Sequence, residues 1–169
     1  MTLDRAVIGE FIDAAVQDAS KAMRLLAENP GLRNARWIHQ ETPLHFLAVE
    51  GYAEGVRLLG RLGFDANAAN GFGDAPLIDV ATLGNDEVAQ VLLGLGADPN
   101  CHSETSDNAL HCAVRSGNAR LVRLLLAAGA KANYVTDIGE TVFDALPPEG
   151  TERAAVESVL RHYGVMCSS

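Results

Sequence analysis

Apolar positions recur in this chain at helical spacing, in short bursts that glycine closes. Leu44, Leu47 and Ala48 fall on one face of a short helix that Gly51 ends. Val56, Leu58, Leu59 and Leu62 mark a second helix, which Gly63 closes, and Val88, Val91, Leu92 and Leu95 repeat that pattern ahead of Gly96. Between the helix pairs run stretches such as FDANAANGFGD, rich in Asn, Asp and Gly, which read as a turn or hairpin.

The bursts are in register. A step of 33 residues carries Thr42-Pro43-Leu44-His45 onto Ala75-Pro76-Leu77-Ile78, then onto Asn108-Ala109-Leu110-His111 and Thr141-Val142-Phe143-Asp144. The same step links Gly51, Gly84, Gly117 and Gly150, and a second column links Gly63, Gly96 and Gly129. Asn34, Asn67, Asn100 and Asn133 form a third and place one more unit before Thr42. The chain therefore reads as five tandem units, at approximately 7–39, 40–72, 73–105, 106–138 and 139–169. Pro43 and Pro76 suit a first helical turn, and Thr42 suits the cap before it.

This period, the TPLH tetrapeptide and the G-A-D-P-N of residues 96 to 100 resemble ankyrin repeats over roughly residues 8 to 169. The resemblance implies an all-α solenoid of stacked helix–turn–helix units with β-hairpin fingers along one side, about five repeats including atypical ends. Each unit is then stable mainly through its neighbours. The first unit lacks Thr-Pro and carries Asp4, Asp13 and Asp18 on its outer side. The last has Pro147-Pro148, which must stop its first helix early, and two extra residues before AAVESVLRHYG.

Composition narrows the function. Aromatic content of 5% suits a core of Leu, Val and Ala, and five units leave no room for a second domain. The net charge of −9 argues against nucleic acid or an anionic membrane as partner and favours a basic protein surface or simple solubility. No run approaches the length of a membrane span, and the N-terminus lacks the uninterrupted apolar stretch of a signal peptide. Cys101, Cys112 and Cys167 leave one thiol unpaired under any scheme, so a cytoplasmic, reduced protein is expected, and a monomer when alone.

His45 and His111 match the TPLH histidine, which the resemblance makes a structural hydrogen-bonding residue. Cys101-His102 and His111-Cys112 fit no zinc-knuckle spacing, and NGFGD (70–74) is a finger turn rather than a phosphate loop. No nucleophile, zinc-protease or dinucleotide fingerprint appears. Neither cofactor nor catalysis is expected.

One column is unexplained by folding: the residue before the Thr slot is acidic in four units, at Glu41, Asp74, Asp107 and Glu140. Neighbouring repeats should hold these about 10 Å apart. In water each pair then repels by only about 0.4 kcal/mol. The row either merely solvates the surface or recognises Lys and Arg on a partner. Apolar anchors are sought at Trp37, Ile38 and His39 in the first finger, Phe72 in the second, and Leu83 before a helix-ending glycine. Trp37 has a second reading, as a cover over the end of the core. Glu50, Glu104 and Arg115 complete the candidate partner-binding set. Arg57, Arg61, Arg120 and Arg123 should face the outer side.

The leading expectation is a non-catalytic protein-binding module, an adaptor, scaffold piece or inhibitor, whose partner carries a basic patch. The competing one is a small-ligand or metal-binding solenoid, or a small enzyme, using the acidic row. A thermal shift with divalent metals and polyamines separates them, being flat for the first.

Overall fold

The computed structural model describes residues 3–102 and 107–166. Within them nine α-helices alternate between an inner and an outer row. The inner row is α1 (Arg5–Gln17), α3 (Pro43–Val49), α5 (Pro76–Leu83) and α7 (Ala109–Arg115). The outer row is α2 (Ala19–Glu28), α4 (Ala53–Arg61), α6 (Asp86–Gly94), α8 (Ala119–Ala127) and α9 (Thr151–His162). Helix α3 packs on α5 and α5 on α7; α4 packs on α6, α6 on α8, and α8 on α9. The helices are short because their neighbours, not their own length, supply the burial that holds them.

The core is one continuous seam. Leu44, Leu47, Leu77, Leu110, Leu121 and Leu125 are fully buried, and Ala48, Ala81 and Ala113 let adjacent inner helices approach closely. Phe11 stacks on Phe64 at 5.6 Å and ties the first unit to the next. Gly51, Gly84 and Gly117 each turn the chain out of an inner helix at φ near +71° to +82°, a region costly for other residues. Gly150, in the same column, instead lies in extended backbone just before α9.

The asparagine column stitches neighbouring repeats together. Asn67 Nδ2 donates to Gly96 O (3.1 Å) while its Oδ1 accepts from Asp98 N–H (2.8 Å). Asn100 does the same one repeat on, with Gly129 O (3.2 Å) and Lys131 N–H (2.8 Å).

Two expectations need adjustment. The fingers form no paired strands among the described residues; only an isolated antiparallel bridge joins His102 and Asn108. Three finger tips are instead pinned by one backbone bond across the mouth: Trp37 N–H to Glu41 O, Asn70 N–H to Asp74 O and Thr136 N–H to Glu140 O, at 2.7 to 2.9 Å. The last unit, expected to have a shortened first helix, has none. Residues 141–150 run as turns, with the Thr141 N–H and hydroxyl both donating to Asp144 Oδ2, and Pro147-Pro148 follow. Val142 and Ala145 still bury against the stack, so the side-chain pattern outlives the helix.

Candidate interaction face

The face to examine is framed by the finger tips and the ends of the inner helices. Thr42 Oγ1 caps α3 by accepting from His45 N–H (3.2 Å), and Asn108 Oδ1 caps α7 by accepting from His111 N–H (2.9 Å). Both helices are seven residues long. Glycines at equivalent steps then turn the chain away. The residues flanking the two helices therefore leave from the same local frame.

The acidic column is not a uniform solvated band. Glu41 is buried, 7% exposed, and burial pushes its carboxyl above the ordinary range against the opposing pull of His45 and His39. Asp74 is half-buried, its N–H held by Asn70 Oδ1 at 3.1 Å. Asp107 and Glu140 share one cation. Arg115, at the end of α7, contacts Asp107 Oδ2 through Nη1 and Asp107 Oδ1 through Nη2 (3.3 Å), and the same Nη2 reaches Glu140 Oε2 at 3.4 Å. The C-terminal half of the column is thus partly neutralised within the chain, one guanidinium serving two carboxylates. Thr82, Asp107, Cys112, Arg115 and Ser116 line a shallow hollow of about 300 Å³ there.

The apolar candidates divide. Phe72 is 62% and Leu83 61% exposed, with Ile38 at 41%. The Phe72 ring lies 5.8 Å from that of His39, in the neighbouring finger. Trp37 is half-buried and packs against the core beside α1, with the Arg5 guanidinium 5.3 Å over its ring. It covers the end of the stack. Glu50 is exposed at the end of α3, and Glu104 lies outside the described residues. One exposed apolar tip escaped the sequence reading. Ile138 is 79% exposed, and it stands two 33-residue steps after Phe72, so the repeat register itself could have found it.

Two fingers are locked together by an unusual turn. His39 and Gln40 both hold positive φ (50° and 61°), which aims His39 O at the Gly71 N–H, 2.8 Å away. Arg36 Nη1 bridges Gln40 O and Ala69 O (2.9 and 2.7 Å) across the same two fingers.

The histidines and thiols of the inner helices serve the stack. His45 is fully buried, with Nε2 donating to Asp79 Oδ2 at 2.8 Å and Nδ1 3.3 Å from Ala68 O. His111 is fully buried too, its Nδ1 on Asn108 Oδ1 (2.9 Å), and burial lowers its pKa. Burial pushes the Cys101 thiol up to about 12 and raises that of Cys112, which makes both poor nucleophiles at neutral pH. Among the described residues no three His, Cys, Asp or Glu side chains are grouped to hold a metal ion, and no helix is long and apolar enough to cross a membrane. On the outer row Arg57 pairs with Glu54 and Arg120 with Asp86, while Arg61 and Arg123 are exposed.

A family model described as ankyrin repeats (three copies) matches residues 11–103 and 62–136. No curated protein gives a significant match to the chain.

Proposed function

The chain belongs to the ankyrin-repeat family, and we propose that it is a non-catalytic protein-binding module whose finger and inner-helix face receives a partner with a basic patch. Ankyrin repeats generally act as protein–protein interaction modules, and the family is typically non-catalytic.

The observation that carries this reading is the exposure of Phe72 and Leu83. Each leaves more than 60% of its surface in water, Phe72 on the second finger and Leu83 at the end of the inner helix α5 that follows it. An aromatic and an aliphatic side chain so placed are anchors for a partner, and hot spots of this kind carry most of the energy of an interface. Glu50 is exposed at the end of α3 and Asp74 closes the finger that carries Phe72, and the net charge of −9 adds a long-range field. Such a field speeds encounter with a basic surface more than it tightens the complex.

The test is affinity capture followed by a binding measurement with the purified captured protein. The double variant Phe72→Ala/Leu83→Ala should lose about 10-fold or more in affinity, since each truncated hot spot costs on the order of 1–2 kcal/mol. Met23→Ala, on an exposed part of the outer helix α2, should bind as the parent does. Equal affinity for the double variant and the parent would remove the face from consideration.

A further inference from the structure

The repeat register shows where the stack is left uncovered. Leu44, Leu77 and Leu110 occupy one column and are fully buried, but Phe143, next in that column, is only half-buried. Leu47, Val80 and Ala113 are fully buried as well, and Leu146 after them is half-buried. A third column follows the outer helices. Phe64, Ala97 and Ala130 each donate a backbone N–H to the carbonyl five residues back, and Val165 does the same to Leu160 O at 2.9 Å. The first three are buried, whereas Val165 is half-buried. Between earlier units the next inner or outer helix packs on its predecessor. Among the described residues no helix follows α9.

Phe143, Leu146 and Val165 gather with Met166, itself 69% exposed, around one hollow of about 370 Å³. A neighbouring hollow of about 560 Å³ shares Phe143, Val165 and Met166, so the apolar floor continues. The smaller hollow is also lined by Arg153, Glu157 and Arg161, four residues apart and so on one face of α9. Glu157 Oε1 accepts from Arg153 Nε at 2.8 Å, and Glu157 Oε2 lies 4.0 Å from Arg161 Nη2. The signs alternate along this stripe. Glu149, exposed just ahead of the helix, extends the alternation by one more step of four. The end unit of a repeat array that stays a separate molecule carries a polar outer face. This one carries an apolar floor beside an ordered stripe of charge.

We infer that this end of the stack binds the same end of a second copy, with the two α9 helices antiparallel across a twofold axis. The charges single out a second copy as the occupant. An antiparallel neighbour whose axis passes between Arg153 and Glu157 sets Arg153 against the second copy's Glu157, and Arg161 against the second copy's Glu149. Each of these pairs occurs twice, whereas a parallel neighbour in register would set like against like. Exposed ion pairs are individually weak. The covered apolar side chains therefore supply the stability, while the charges fix orientation and register. An interface that pairs a patch with itself closes at two copies. At the opposite end Trp37 already covers the stack, with Arg5 over its ring. A dimer departs from the monomer expected of the sequence alone. It uses neither Phe72 nor Leu83, so it stands apart from the protein-binding face.

The test is sedimentation of the full chain over a micromolar to millimolar concentration series, in reductant so that Cys167 forms no disulfide between copies. The mass should rise from 17.9 kDa towards twice that value. Met166→Asp, at an exposed position, should weaken the dimer by about 10-fold or more, because it carries a charge into the apolar floor. Met23→Asp, on the outer helix α2, should dimerise as the parent does. Arg153→Glu/Arg161→Glu makes the stripe wholly acidic, and Glu149→Lys/Glu157→Lys makes it wholly basic. Each should be a monomer alone, and an equimolar mixture should restore the dimer.

A parent that stays at 17.9 kDa throughout, or that grows beyond two copies, would overturn the proposal. So would equal dimerisation of Met166→Asp and the parent, or a mixture no more dimeric than its two components. Circular dichroism establishes first that each variant is folded. Should the charge variants fail there, the contrast between Met166→Asp and Met23→Asp decides the matter by itself.

Discussion

His45 Nε2 and Asp79 Oδ2 meet at 2.8 Å across adjacent repeats, and Asn70 Nδ2, at 3.1 Å, closes on the same oxygen from the finger between them. One carboxylate thus ties an inner helix, the following finger and the next inner helix. The histidine is fully buried while Asp79 keeps some contact with water. Removing the acceptor leaves the imidazole N–H without a partner inside the stack. Asp79→Ala is expected to cost about 1–3 kcal/mol, and Asp79→Asn less, since an acceptor remains. Urea unfolding followed by circular dichroism reads the difference. An Asp79→Ala variant as stable as the parent would make this bond incidental to the stack.

Glu41 works in the opposite sense. Burial raises its folded-state pKa above the ordinary value of 4.5, so the folded chain holds this proton more tightly than the unfolded one. The stabilising contribution is complete below about 4.5 and is lost as pH rises through the folded value. At neutral pH the ionised carboxylate therefore weighs against folding. Glu41→Gln should raise Tm at pH 7 by about 2–4 °C, as a change on the order of 1 kcal/mol would in a chain of this size. The gain should shrink towards zero near pH 4. A variant that is less stable than the parent at pH 7 would contradict the assignment.

His111 gives the acid limb of stability. Burial lowers its pKa below the ordinary 6.5, with Asp107 pulling the other way. Above about 6.5 neither folded nor unfolded chain protonates this ring and its contribution is whole. Below that value the unfolded chain takes up a proton that the folded chain resists, so stability falls until the folded pKa is reached. The equivalent position one repeat earlier is Ile78, also buried, so an aliphatic side chain fits the column. His111→Ile should flatten the loss of stability between pH 7 and 5, measured as urea midpoints at constant ionic strength. Asn108 Oδ1 would still receive the N–H of residue 111, so the cap survives. An unchanged acid limb in the variant would assign it to other groups.

These relationships differ in how far they were legible from the residues alone. The helices around Leu44, Leu77 and Leu110 were, because cap, apolar spacing and closing glycine are all local chemistry. The columns of register were equally plain, and they put Glu41, Asp74, Asp107 and Glu140 in line. What register could not say is which carboxylates would be covered or paired. That depends on tertiary contacts: His39 standing by Glu41, and Arg115 reaching Asp107 eight residues away and Glu140 twenty-five away. Arg115 and both its partners stood among the candidates as separate residues, and only the fold makes them one unit. The last unit failed for a different reason. Pro147 and Pro148 remove two N–H groups so close to Thr141 that no full helical turn survives, while Val142 and Ala145 keep their buried places.

The geometry of the fingers yields a final prediction. Gly71 donates its N–H to His39 O at 2.8 Å, and a Cβ on Gly71 would lie 3.0 Å from that same carbonyl oxygen and 3.3 Å from Gln40 Cβ. The obstacle is backbone already committed to positive φ, so it cannot swing aside as a flexible side chain would. Gly71→Ala should therefore part the two fingers. Position 71 should lose hydrogen-exchange protection, and Phe72 should leave the His39 ring it now faces at 5.8 Å. Gly94, the last residue of α6, is the contrasting case, since a Cβ there meets nothing within 4 Å. Gly94→Ala should leave exchange at position 71 unchanged and raise stability by up to about 1 kcal/mol through helix propensity. If Gly71→Ala keeps its protection, the fingers are not coupled through this contact, and the left-handed turn at His39 and Gln40 has no part in shaping the face.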